Sequence, residues 1–296
     1  VKRIALALLL VAGCRTSRPT PAPAPDASTK APTPSLSAPA APDAAARAAA
    51  APVAATEGRE IVVCGRRFYA GVPVVLWTSP PGYDASSEHA RFGPDATGEG
   101  APKGPRYQPG RVEKGSPAIV RVEPESEEIE RLREVVDQFV LHYDAAGSSR
   151  KCFEILQDKR GLSVHFMLDV DGTIYQTLDL RDQAWHATKA NPRSIGVEIA
   201  NLGIPEGGKA QPAFTDAQYA SLAKLAAALC TLFPKIAPDA PRDADGRVVA
   251  GALDDTAFAS FHGILGHSHV QSNKQDPGPA FDWNRFLNDV RANLGR

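Results

Sequence analysis

Two histidines and an aspartate stand out by type and setting. His142 closes the apolar run 140–142 (VLH) where a loop begins, and His267 and Asp276 lie nine positions apart in a stretch rich in Gly, Ser and Pro. Two imidazoles and one carboxylate leave a coordination position open, the donor set of a catalytic zinc. Water at such a position ionises near neutral pH, so the chemistry suggested is hydrolysis. The spacing alone is common, and a scattered His is more often packed than ligating. Glu198 adds a second signal, because a carboxylate inside the apolar run 194–200 (SIGVEIA) needs a partner or a task. Of the other histidines, His165 reads as buried and satisfied, and His89 and His262 as surface or packing residues. His269 reads as an outer partner or spare ligand, pointing roughly with His267 on an extended loop.

The elements that must hold these groups alternate in type. Residues 60–64 (EIVVC), 72–77 (VPVVLW), 138–142 (QFVLH), 164–169, 173–177 and 194–200 carry the β-branched and apolar runs of strands. Asp171-Gly172 predicts a type I′ hairpin between the fourth and fifth of them. Helices are expected over 125–136, with Ile129, Leu132 and Val136 on one face, and over 148–157. Another should run from a capping box at Thr215 and Gln218 to Phe233, and a last one from Asp282 to Leu294. Residues 83–115 and 238–255 read as irregular loops. This interleaving gives an α/β class with a mixed central β-sheet flanked by helices.

The chain has 296 residues with 26 Pro, above the usual ~5%. Its net charge of -1 offers no general attraction for nucleic acid, and four Cys are too few for a disulfide scaffold. At the N-terminus, Lys2 and Arg3 precede an apolar run from Ile4 to Ala12 and then Gly13-Cys14. These are the parts of an export signal, and residues 11–14 (VAGC) resemble a bacterial lipobox, in which the Cys becomes acylated. Residues 19–56 hold 9 Pro and 16 Ala and no aromatic residue, too little apolar area to offset ordering, so they read as a disordered tether. The expected organisation is a signal peptide over 1–13, a tether over 14–56, an N-terminal strand and loop extension over 57–120, and a catalytic domain over 121–296.

From Phe139 onward the chain resembles the zinc-dependent N-acetylmuramoyl-L-alanine amidases (amidase type 2), relatives of the peptidoglycan recognition proteins. The matching stretches are 140–145 (VLHYDA), 161–176 (GLSVHFMLDVDGTIYQ), 184–187 (AWHA), 194–201 (SIGVEIAN), 266–270 (GHSHV) and 274–283 (KQDPGPAFDW), in family order. The resemblance implies the fold of those proteins and a Zn2+ ion held by His142, His267 and Asp276. It implies that Glu198 passes a proton from the attacking water to the leaving L-alanine amine, and that Lys274 donates to the oxyanion. Tyr143 would face the pocket; His186, at the groove rim, would either meet the substrate or make a structural hydrogen bond, and Asn201 would either position the peptide stem or hold a turn. Tyr143-Asp144 stands where many members carry His-Thr or His-Ser.

The implied function is cleavage of the amide between N-acetylmuramic acid and L-alanine in peptidoglycan during wall turnover or remodelling. The protein is expected to be an exported monomeric lipoprotein, anchored through Cys14 to the periplasmic face of the outer membrane. Two rivals remain. A non-catalytic peptidoglycan-binding lipoprotein should lack a ligand or the base, and all four residues are present. An amidase of soluble anhydro-muropeptides would carry the same site. Nothing in the sequence selects a disulfide among Cys64, Cys152 and Cys230, or a role for the 234–261 insert.

Overall fold

Five of the six expected strand runs join one six-stranded sheet, whose sixth strand, Gly263–Gly266, is additional, while Glu60–Val63 pairs separately with Arg66–Tyr69. The computed structural model describes residues 58–87, 104–111, 126–205, 207 and 209–295. The expected signal peptide, Cys14 and the tether lie outside them, as does His89. The strands are β1 (Glu60–Val63), β2 (Arg66–Tyr69), β3 (Val74–Leu76), β4 (Tyr107–Gln108), β5 (Gln138–Tyr143), β6 (Phe166–Leu168), β7 (Ile174–Gln176), β8 (Gln183–Ala184), β9 (Ser194–Ile199) and β10 (Gly263–Gly266). The sheet order is β10-β5-β9-β6-β7-β3, parallel throughout except for the antiparallel β6–β7 pair.

Alternation along the strands sends side chains to two layers. On one face Phe139, Leu141, Ile195 and Val197 pack against α1 (Ser126–Val135), α3 (Asp216–Leu232) and α6 (Trp283–Asn293). The amphipathic stripe of α1 is the expected one, with Ile129, Leu132 and the following Val136 buried. The Thr215–Gln218 capping box opens α3, and Asp282 caps α6. On the other face Met167 packs against α2 (Ser149–Glu154), and Val140 against α4 (Asp255–Ser260) and α5 (His267–Val270). A π-helical turn, Ile155–Arg160, extends α2 beyond its expected end.

Two hairpins exchange their expected chemistry. Between β6 and β7 only Gly172 has positive φ, and its N–H bonds Asp169 O at 3.0 Å, so the turn there is not type I′. Cys64 and Gly65, both at positive φ, instead form the two-residue link of a β1–β2 hairpin absent from the sequence reading. Cys is a poor residue for that conformation. The Asp179 carboxylate holds it by accepting from the N–H groups of Cys64 and Gly65, each at 2.7 Å. The 83–115 stretch is also not wholly irregular, since β4 pairs with β8. Cys64 and Cys152 are buried, Cys230 is half-buried, and no disulfide joins any two of these three.

Candidate active site

Three parallel strands end at one place, and each delivers a polar residue to it. In the β5–β9 register His142 stands opposite Glu198, on the same face of the sheet. β10 ends at Gly266, so His267 begins the next element immediately beyond the same edge. Sites of open α/β sheets lie outside the carboxyl ends of their strands for this reason. Gly266 lets the Asp276 segment close over it, because a Cβ there would sit 2.6 Å from Pro277 Cδ.

His142, His267 and Asp276, all buried, place their ligand atoms within 4.8 Å of one another. Nδ1 of His142 is 3.0 Å from Nδ1 of His267 and 3.1 Å from Asp276 Oδ2, which is also 3.0 Å from Nδ1 of His267. The opposite nitrogens are occupied. Nε2 of His267 donates to Gln271 Oε1 at 2.7 Å, and Nε2 of His142 faces Nδ1 of His186 at 3.0 Å. With Nε2–H groups used there, the Nδ1 lone pairs converge with the carboxylate on a common point, an arrangement that suits a divalent cation. Burial and the neighbouring His267 pull His142 down to about 4, so it is neutral and able to ligate at pH 7. Burial opposes the Asp276 charge, but the two imidazoles beside it outweigh that and hold its pKa below the ordinary value.

Glu198 sits beside this set with its Oε2 enclosed and without a hydrogen-bond partner. Burial, then the negative charges of Asp276 and Asp144, push its pKa well above the usual carboxylate range. Asp144 behaves similarly: one oxygen accepts from the N–H groups of Ala146, Gly147 and Asn201, the other is orphaned, and burial raises it to about 6. A cleft of about 290 Å³ opens over these groups. Lys274 and Arg160 are the cations that line it, joined by Tyr143 and Trp185. Arg160 was not anticipated, since it lies past the expected helix end at 157 and is carried into the cleft by the π-helical turn. Gln271 was also missed, although four residues after His267 is the spacing at which a helical turn brings two side chains together.

Of the three expected substrate contacts, His186 and Tyr143 border the cleft and Asn201 does not. His186 borders the cleft, but both ring nitrogens are engaged, Nδ1 by His142 and Nε2 by Ser194 Oγ at 3.2 Å. Its ring fits because Gly196 lies beneath it, where a Cβ would approach Nδ1 to 2.6 Å. Asn201 is buried, donating to Pro212 O and accepting from Gly203 N–H, so it holds a turn rather than facing the cleft. Tyr143 does border the cleft, its ring packed close to Gly203. His269 is no spare ligand. Residues 267–270 form a helical turn instead of an extended loop, and His269 takes the Gly266 N–H and bonds Val249 O at 2.6 Å. That bond ties the 234–261 insert to α5. His165 is fully buried and bonded, as expected.

Fold and site together define an α/β protein with a His-His-Asp set suited to a metal and an enclosed carboxylate next to it. The chain belongs to the N-acetylmuramoyl-L-alanine amidase family, whose pattern matches residues 132–279, half of its length. It is 32% identical over 139 residues to the 1,6-anhydro-N-acetylmuramyl-L-alanine amidase AmpD of Haemophilus influenzae, covering 44% of this chain and 59% of that protein. With AmpD of Salmonella typhimurium it shares 33% over 129 residues, covering 42% and 55%. The matched region thus spans little more than half the length of either relative. Among solved structures it is similar to the N-acetylmuramyl-L-alanine amidase AmiD of Escherichia coli in complex with an anhydro-muropeptide, at 19% identity, TM-score 0.40, and coverage of 61% and 65%.

Proposed function

We propose that this chain hydrolyses the amide bond between N-acetylmuramic acid and L-alanine in peptidoglycan, using Zn2+ held by His142, His267 and Asp276. The observation that carries the reading is the juxtaposition, at one strand edge, of three converging ligand atoms and an orphaned Glu198 oxygen. Family membership supplies the bond to be cut. Zinc bound there would supply a Lewis acid for the scissile carbonyl and a lowered pKa for water. Glu198 takes one proton from the attacking water and delivers it to the leaving nitrogen of L-alanine, so carboxyl and amine products form without net proton change. Lys274 donates to the carbonyl oxygen as it gains negative charge. Gln271 and His186 keep the two imidazoles turned with Nδ1 toward the substrate side.

The names of the two AmpD relatives favour a second reading, in which soluble 1,6-anhydro-muropeptides are the substrate. Digestion of purified sacculi and of a soluble anhydro-muropeptide, each with and without chelator, separates the two readings by mass analysis. Stem peptides beginning with L-alanine, lost with chelator and restored by zinc, are the expected product. Binding to sacculi with no product from either substrate would leave a wall-binding module instead.

The proposed setting is an exported lipoprotein acting as a monomer, anchored by Cys14 to the periplasmic face of the outer membrane. Its support is the charged, apolar and VAGC sequence of the first 14 residues. None of the described helices is long and apolar enough to cross a membrane. Incorporation of a labelled fatty acid, abolished by Cys14→Ser, tests the anchor.

A further inference from the structure

Arg106 and Arg111 are completely buried, and they lie in a segment, 104–111, that falls outside the family match. A buried guanidinium favours spending its donors, and Arg111 spends most of them on backbone carbonyls, with Nη2 also 3.1 Å from Nε2 of His165 and Nε left without a partner. Nη1 donates to Ser194 O at 2.6 Å and Asn191 O at 3.1 Å, and Nη2 to Leu180 O at 2.7 Å. The first two acceptors belong to the residues that hold His186. The Asn191 side chain accepts from the N–H groups of His186 and Ala187, at 3.1 and 2.7 Å. Ser194 Oγ meets Nε2 of the His186 ring at 3.2 Å, and the other nitrogen of that ring meets His142 at 3.0 Å.

The segment is fixed independently at two further points. Gly110 N–H donates to Asp182 Oδ1 at 3.0 Å, and β4 pairs with β8, the strand that runs directly into Trp185 and His186. Asp182 O in turn bonds Nε2 of His165, whose Nδ1 takes the N–H of Gly196, the residue under the His186 ring.

We propose that segment 104–111 is a clamp for the metal centre. Arg111 fixes residues 191–194, these fix the His186 ring, and His186 orients the His142 imidazole so that Nδ1 is presented to the metal. Arg111, Ser194 and His186 are positioning residues in this scheme, and the inference rests on the metal reading above. Partners of this kind behind a ligating histidine are worth about 10–100-fold in metal affinity. Arg106 supplies an internal control. It is equally buried in the same segment but donates to Gln157 O and Gly104 O, away from residues 191–194.

The test is the zinc dissociation constant of the purified full chain, read by competition with a chromogenic chelator, alongside the melting temperature of the zinc-free protein. Ser194→Ala should weaken zinc about tenfold, with a fall in the zinc-free melting temperature no larger than that of Arg106→Met. Arg111→Met should weaken it by at least as much, Arg111→Lys should recover part of the loss, and Arg106→Met should lower the melting temperature while leaving zinc affinity intact. Should Arg111→Met not fold, Ser194→Ala alone decides. Wild-type zinc affinity in Ser194→Ala, or equal weakening by Arg106→Met and Arg111→Met, overturns the clamp while the metal site stands. A wild-type chain that takes up no zinc overturns the metal reading, and the clamp with it.

Discussion

The same three strands carry a polar cluster at each end, and among the described residues only one of the two brings ligand atoms together on a common point. At the amino ends, Asp137 precedes β5, Arg193 precedes β9 and His262 precedes β10. The Asp137 carboxylate accepts from Nε and Nη2 of Arg193, both at 2.6 Å, and lies 2.9 Å from Nδ1 of His262. Arg193 further donates to Ala259 O and Phe261 O. Charges there are matched, although the adjoining Gln138 keeps its Oε1 enclosed without a partner. At the carboxyl ends, His142, Glu198 and His267 meet Asp276 with three ligand atoms converging and one carboxylate oxygen orphaned. Both clusters draw on His and acidic residues, so composition does not separate them. Convergence does: an orphaned oxygen also occurs at the amino end, on Gln138, but only at the carboxyl end do three ligand atoms meet beside one, under an open cleft.

Substitutions at the two ends should therefore fail in different ways. The largest effect is expected for Glu198→Gln, which keeps the shape but cannot take a proton. Its kcat should fall about 10²–10⁴-fold with zinc content unchanged, read by product mass analysis and elemental analysis. Lys274→Met comes next, with a kcat loss of about 10²–10³-fold and little change in KM, measured on a soluble muropeptide. At the opposite end, Asp137→Asn should cost about 1–3 kcal/mol in denaturant unfolding, since it leaves a largely enclosed Arg193 poorly matched. Its kcat and zinc affinity should match wild type, and a kinetic defect there would erase the distinction between the two ends.

The smallest effect concerns Asp144, beside the open cluster. Burial raises its pKa from 3.8 to about 6. The folded protein then keeps a proton that the unfolded chain has already lost, so this group makes stability fall as pH rises through that window. Relative to wild type, zinc-free Asp144→Asn should gain stability across it, by on the order of 1 kcal/mol after allowance for partial exposure. Thermal melts between those pH values check the sign, and a constant difference with pH would contradict it.

Much of the open cluster was legible because its groups sit where sequence patterns change. His142 and Glu198 interrupt apolar strands, and the capped helices α3 and α6 announce themselves through Thr215 and Asp282. What was illegible depends on distant partners. The Cys64-Gly65 turn stands on Asp179, 115 positions from Cys64. Arg111 looks like surface until carbonyls about 70–80 positions away are brought to it. His186 could be placed near the site only through the family resemblance of 184–187, and its role turns on Gly196 opening room beneath the ring. The helical turn at 267–270 is only four residues long, below the length at which periodicity is readable.

The central claim is that His142, His267 and Asp276 form one metal centre through Nδ1, Nδ1 and a carboxylate oxygen. Crystals of the zinc-loaded chain, measured on both sides of the zinc absorption edge, test it directly. The expected result is a single anomalous peak about 2.0–2.2 Å from those three atoms, with the Nε2 atoms of both histidines still bonded to His186 and Gln271. A peak placed elsewhere, ligation through Nε2, or no peak at full zinc loading would contradict the account.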